Sequence, residues 1–262
     1  MNTLRRVLVH QLRDVVRGRA IAGYTLFFAL ATWGLLHFGG GAGRALPSIA
    51  TLIVLVVPLV CLLVTTTYAY HGSDFIELLL SQPIGRRPLF ASLWLGLTLP
   101  LIGAFLVGLG VPLIASGPLV ERAGAVALLA VAGVMLTTIF TSLGLLTALR
   151  VPEASRGNGI ALLLWLGFAV LYDGAVLFAA YRWAAHPLET PMLVLMALNP
   201  VDLARVLVLM ALDASAMMGY TGAVFQDFFA GTTGLLVSLG LLAAWTAIPG
   251  LAALHTFRRK DF

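Results

Sequence analysis

The chain has 262 residues, of which 60% are hydrophobic and 10% charged, with a mean hydropathy of +1.01 and a formal net charge of +5. Soluble domains carry about 25% charged residues, so this chain has too few polar side chains to cover a water-facing surface. A soluble enzyme, a disordered chain and a nucleic-acid-binding domain are excluded, and an all-α polytopic membrane protein remains.

Residues 1–19 place Arg5, Arg6, Arg13, Arg17 and Arg19 ahead of the first apolar run. No small-residue cleavage site follows that run, so the first span is expected to be retained rather than removed as a signal peptide. Arg6, His10, Arg13 and Arg17 follow one helical face, and Leu4, Leu8, Leu12 and Val15 follow another. This pattern predicts an amphipathic elbow helix lying in the membrane interface.

Six spans are predicted at about 20–38, 47–70, 89–115, 124–149, 158–181 and 231–254. A helix rising about 1.5 Å per residue needs about 20 apolar residues to cross about 30 Å of hydrocarbon. The runs are continuous rather than alternating, which points to helices and not to barrel strands. Pro58, Pro100, Pro112 and Pro249 predict kinks or local breaks inside spans. Cys61 is the single cysteine, which excludes an intrachain disulfide, and its apolar surroundings suit a small buried side chain.

If the N-terminus is cytoplasmic, the inside segments hold Arg5, Arg6, Arg13, Arg17, Arg19, Arg86, Arg87, Arg150, Arg156, Arg258, Arg259 and Lys260, and the outside holds Arg44, Arg122, Arg182 and Arg205. That asymmetry predicts both termini in the cytoplasm.

The loop 71–88, HGSDFIELLLSQPIGRRP, contains a predicted short helix. Asp74, Glu77 and Ser81 share one of its faces, Phe75, Ile76, Leu79 and Leu80 occupy others, and Gln82-Pro83 ends it. A polar edge beside a bulky apolar surface suits docking to another protein. Arg86 and Arg87 then anchor the start of the third span, and Asp74, Phe75, Ile76, Glu77, Leu79, Leu80, Arg86 and Arg87 form the candidate coupling site.

Asp173 is the single acid deep in a predicted span. Either it serves a proton or cation site, or the fifth helix breaks at Asp173-Gly174 and leaves it near the outer surface. The outer loop, 182–230, contains a stretch from 192 to 212 almost apolar enough for a seventh span, with Asn199, Pro200, Asp202 and Arg205 at its centre. Central charges disfavour insertion. Asn199 suits an N-cap, Pro200 the first helical position and Asp202 the third. The expectation is a short helix over 200–212 at the outer surface, with Asp202, Arg205, Asp213 and Asp227 offered to an outside partner.

Met192, Met196, Met210, Met217 and Met218 cluster in the same loop. Thioethers suit Cu(I), which makes Met210, Met217 and Met218 candidate copper contacts, or they replace leucine in apolar packing. The small residues Ala230, Gly234 and Ser238 recur every four positions, a spacing that permits close helix approach. The sequence has no G-x-x-x-x-G-K-[ST], H-E-x-x-H or G-x-S-x-G, and no paired Cys or His at metal spacing. Any nucleotide must therefore bind a separate protein.

Residues 74–90, DFIELLLSQPIGRRPLF, resemble the segment after the second span of ABC-2-type permeases, an acidic stretch followed by E-L-L-L-x-x-P-x-x-R and an apolar restart. Glu77, Leu78, Leu79, Leu80, Pro83 and Arg86 fill those positions. The resemblance implies six spans in the type V exporter-like arrangement, an elbow helix, and a coupling helix that contacts a separate ATPase subunit. ATP and magnesium then belong to that ATPase, with no cofactor in this chain.

Within the family, L-N-P-V-D-x-x-R at Leu198–Arg205 and the basic end Phe257–Phe262 are similar to permeases that serve copper-site assembly in nitrous oxide reductase. That likeness implies a pair of copies in the inner membrane, an ATPase dimer, a periplasmic β-helical partner and a copper chaperone. The alternatives are an exporter of a small molecule or lipid, and an ion-coupled secondary transporter using Asp173.

Overall fold

The computed structural model describes residues 18–39, 42–80, 85–116, 123–182, 189–212 and 232–260, together with Val15. The elbow segment otherwise lies outside the described residues. Leucine, alanine and valine dominate the long runs, and in hydrocarbon only a helix satisfies every backbone group within one segment. Six runs are long and apolar enough to cross a membrane. They are α1 (Arg19–Phe38), α2 (Ala42–His71), α4 (Arg86–Ala115), α5 (Ala123–Arg150), the run Ala154–Arg182, and α10 (Thr232–Arg259). The fifth run comprises α6 (Ala154–Leu166), a π-helical turn at Gly167–Leu171, and α7 (Tyr172–Arg182). Between α2 and α4 lies the short helix α3 (Ser73–Leu80). The described residues contain no strand.

The prolines do not end these helices. Pro47 and Pro58 lie inside α2, Pro100 and Pro112 inside α4, and Pro249 inside α10. Hydroxyls are satisfied locally: Thr25, Thr98, Thr137, Thr147, Ser238 and Thr246 each donate to the carbonyl four residues earlier.

The helices α2, α4 and α5 form the inner layer, with about half of each apolar window buried, against 11% and 17% for the fifth and sixth spans. Phe28 of α1 and Phe105 of α4 meet edge to face at 5.5 Å. A β-carbon at Gly108 would sit 2.8 Å from Thr25 O, so glycine is what lets α4 approach α1 so closely. Polar cross-ties join neighbouring helices: Trp94 Nε1 donates to Ser142 Oγ (2.9 Å), Thr66 Oγ1 to Asn158 Oδ1 (2.7 Å), and Trp165 Nε1 to Leu55 O (2.8 Å). Near the end of the bundle that carries Arg86, Arg150 and Arg258, the Tyr70 hydroxyl donates to Val151 O (2.9 Å). This is called the basic end below.

Residues 189–212 depart from the sequence expectation. They form α8 (Glu189–Ala197) and α9 (Pro200–Ala211), and α9 packs against α5, α2, α10 and the π turn rather than resting on a surface. Val201, Leu203, Ala204 and Val206–Leu209 are all buried. The Asn199 side chain bonds to Phe168 O (2.8 Å), and Phe168 lies midway along the 29-residue fifth span. The turn between α8 and α9 thus reaches mid-depth, and the pair is a re-entrant hairpin. The physical reason is that α9 is apolar around most of its circumference, and its one base finds a partner inside the bundle.

Candidate functional site

At the basic end, α2 stops at His71 and the chain turns directly into α3. Gly72 N–H bonds to Tyr68 O (3.0 Å), Ser73 Oγ donates to Tyr70 O (3.0 Å), and Ile76 N–H bonds to Gly72 O (3.0 Å). Ile76 and Leu79 are three residues apart and therefore share a face. Both are buried, in a cluster with Leu89, Phe90 and Leu93 of α4, Leu145 and Leu149 of α5, and Ala253 and Phe257 of α10. Phe90 and Phe257 have ring centroids 5.6 Å apart. Glu77 and Leu78 are exposed, Leu78 to 60%.

This arrangement sorts the expected coupling residues by the side of α3 they occupy. Ile76 and Leu79 are anchors that hold α3 to three spans, not the face offered outward. Leu78, absent from the sequence-derived set, stands on the outward side beside Glu77. Asp74, Phe75 and Leu80 belong to α3, and their side chains lie outside the described residues.

Arg86 is also engaged within the chain. Its Nη1 donates to Arg258 O (2.7 Å) and Lys260 O (3.0 Å), which supplies donors to carbonyls at the end of α10 that no helical partner reaches. Arg86 is therefore a tie between the third and sixth spans, whereas Arg87 is exposed at the same end.

The hairpin carries a second polar cluster. Asn199 caps α9: its Oδ1 accepts from Val201 N–H (2.9 Å), and its backbone carbonyl accepts from Leu203 N–H (3.0 Å). Its Nδ2 donates both to Phe168 O on the π turn and to Asp202 Oδ2 (3.0 Å). One turn on, Arg205 Nη1 hydrogen-bonds Asp173 of the fifth span and lies 3.4 Å from Asp202 Oδ1. Tyr172 donates to Leu195 O, and Trp245 of α10 donates to Ala197 O (3.0 Å). Hydrogen bonds from the fifth and sixth spans thus grip both sides of the hairpin tip.

Asp202 and Arg205, expected to be offered to an outside partner, are packed within this chain. They turn inward, and Arg205 hydrogen-bonds Asp173 and lies beside Asp202. Pairing offsets the insertion cost of about 2.5–3.5 kcal/mol that each central charge carries. The fifth helix does not break at Asp173-Gly174; it widens one turn earlier, at the π turn, and continues to Arg182. Asp213, Asp227, Met217 and Met218 lie outside the described residues, as does the Met210 side chain. Met196 is buried in the core, which is the apolar packing role open to methionine. Among the described residues no group of three or more His, Cys, Asp or Glu converges to hold a metal.

The sequence model of a family described as ABC-2 family transporter protein matches residues 73–262, starting at the first residue of α3. The chain is 31% identical to a probable ABC transporter permease protein NosY of Pseudomonas aeruginosa, over 95% of this chain and 96% of that protein. It is 26% identical to a probable ABC transporter permease protein NosY of Stutzerimonas stutzeri, over 99% of both chains. Six apolar helices, a short helix seated under three of them at one end, and these two relatives lead to one conclusion: the chain is a multi-pass membrane protein that belongs to the ABC-2 transporter family.

Proposed function

We propose that this chain is the NosY-like permease subunit of an ATP-driven complex, a non-catalytic membrane half that receives work from a separate cytoplasmic ATPase. The observation that carries the reading is the seating of α3: Ile76 and Leu79 wedge it beneath α4, α5 and α10, while Glu77 and Leu78 face away from the bundle. A partner that moves α3 pushes on the third, fourth and sixth spans together. The sixth span also carries Trp245, which holds the hairpin tip at mid-depth, so the push has a direct mechanical route toward the opposite end. The basic end is cytoplasmic in this reading, consistent with the excess of bases there, and both termini lie on that side.

The working unit is two copies of this chain with an ATPase dimer that binds ATP and magnesium. By likeness to the NosY relatives, its output is conformational work for copper-site assembly in nitrous oxide reductase, with a periplasmic β-helical partner and a copper chaperone. Met210, Met217 and Met218 are the residues of this chain suited to brief contact with Cu(I).

The test is ATPase stimulation in a reconstituted complex. The double variant Glu77→Arg/Leu78→Asp abolishes stimulation while the melting temperature of the permease stays unchanged. Full stimulation by that folded variant refutes the coupling role of α3. A second reading, export of a lipid-like molecule, draws on an open apolar groove of about 760 Å³ between α1 and α4, lined by Ile21, Leu26, Leu99, Pro100, Gly103 and Val107. Cross-linking of a photoactivatable lipid in that groove, dependent on ATP turnover, separates it from the first.

A further inference from the structure

Two carboxylates share one guanidinium at the hairpin. Arg205 Nη1 hydrogen-bonds Asp173 and stands 3.4 Å from Asp202 Oδ1. Asp202 is 8% exposed, and its Oδ1 is buried and accepts no hydrogen bond. Both carboxylates therefore crowd the same guanidinium nitrogen. Two carboxylates on one cation leave one negative charge over, and a buried charge without a counter-charge is costly at mid-depth in a bilayer. Something positive has to complete the site.

The neighbours do not supply it. Of the elements packed against α9, the fifth span contributes Asp173 and the neutral Tyr172, whose hydroxyl is committed to Leu195 O. The bases of α2, α5 and α10, namely Arg44, His71, Arg150, His255, Arg258 and Arg259, stand at or near the ends of those helices. On α8 the titratable residue is Glu189, which would add negative charge. Asn199 Nδ2 gives its hydrogen bond to the other oxygen, Oδ2. Among the described residues the site thus holds two acids and one base.

We propose that the Asp173–Asp202 pair binds one proton, shared by the two carboxyls at Arg205, and that this proton completes the joint between the re-entrant hairpin and the fifth span. The proton comes from solvent when the hairpin docks and returns to solvent when it leaves. Docking then takes up a proton. The site is built from residues of one chain, so it stands apart from the ATPase reading and is tested without it.

The experiment is infrared spectroscopy of the full chain in lipid nanodiscs at neutral pH and without added sodium, with carbon-13 aspartate to separate Asp from Glu. A single protonated Asp carboxyl is expected, shifted by deuteration and lost at high pH. It disappears in Asp202→Asn and in Asp173→Asn, and persists in Glu153→Gln, whose side chain is exposed and paired with Arg156. The wild-type spectrum is decisive even where a variant folds poorly. Absence of a protonated Asp at neutral pH, or its persistence in both folded aspartate variants, overturns the proposal.

Discussion

Replacing Asn199 with alanine is expected to release the hairpin without unfolding the bundle. The side chain makes three hydrogen bonds, to Val201 N–H, Phe168 O and Asp202 Oδ2. Loss of the cap costs about 1 kcal/mol. A buried acceptor left without a donor costs about 1–3 kcal/mol, and two are orphaned here. The terms share one site and do not simply add, so a total of about 3 kcal/mol is the working figure. At about 1.4 kcal/mol per factor of ten, hairpin opening becomes roughly a hundredfold more frequent.

Hydrogen exchange in nanodiscs reads this directly, in the amides of residues 203–208. Cys61 supplies an internal control, because it is the only cysteine and is fully buried between helices. Its alkylation rate reports opening of the whole bundle. Exchange at 203–208 rises about a hundredfold while Cys61 alkylation stays constant. A rise below threefold refutes the bond accounting. Parallel acceleration of Cys61 refutes the idea that the hairpin opens as its own unit.

Leu79→Ala destabilises the permease by about 2–4 kcal/mol in thermal or denaturant melts, because it empties a buried site, whereas Leu78→Ala leaves melting within about 0.5 kcal/mol and lowers ATPase stimulation in the complex. Gly157→Ala drives a methyl group into the Tyr70 hydroxyl, costing about 1–3 kcal/mol by overpacking. Tyr70→Phe costs only about 1 kcal/mol, so equal melts for the two variants exclude the steric account. Arg86→Met frees the carbonyls of Arg258 and Lys260, and limited proteolysis after the last turn of α10 accelerates; because the site is exposed, the change corresponds to no more than about 1 kcal/mol.

The membrane class and the six long helices were legible because hydrocarbon demands length and apolarity, both of which are local properties of the chain. The start of α9 was legible too, since Asn199 and Pro200 carry their own capping chemistry. Its placement was not. An apolar helix with central charges reads the same whether it floats at an interface or inserts, and the residue that decides, Asp173, lies 32 positions from Arg205. Asp173 stayed open between a titratable site and a helix break for the same reason, because Asp-Gly suggests a break until its cation is known. In α3, apolar residues occupy several faces, so sequence alone did not separate the inward pair Ile76 and Leu79 from the outward Leu78. That choice is made by Phe90 and Phe257, which arrive from spans distant in the chain.

The tie from Arg86 to the end of α10 has a consequence for synthesis. The two partners are 174 positions apart, and at about 5–20 residues per second the ribosome needs roughly ten to thirty seconds to deliver the second after the first. Throughout that interval α3 has half its seat, with the α4 side present and the Ala253–Phe257 side still unmade. A nucleotide-driven partner that recognises seated α3 would therefore ignore nascent and truncated chains, and the geometry of one arginine would act as an inspection step for finished subunits.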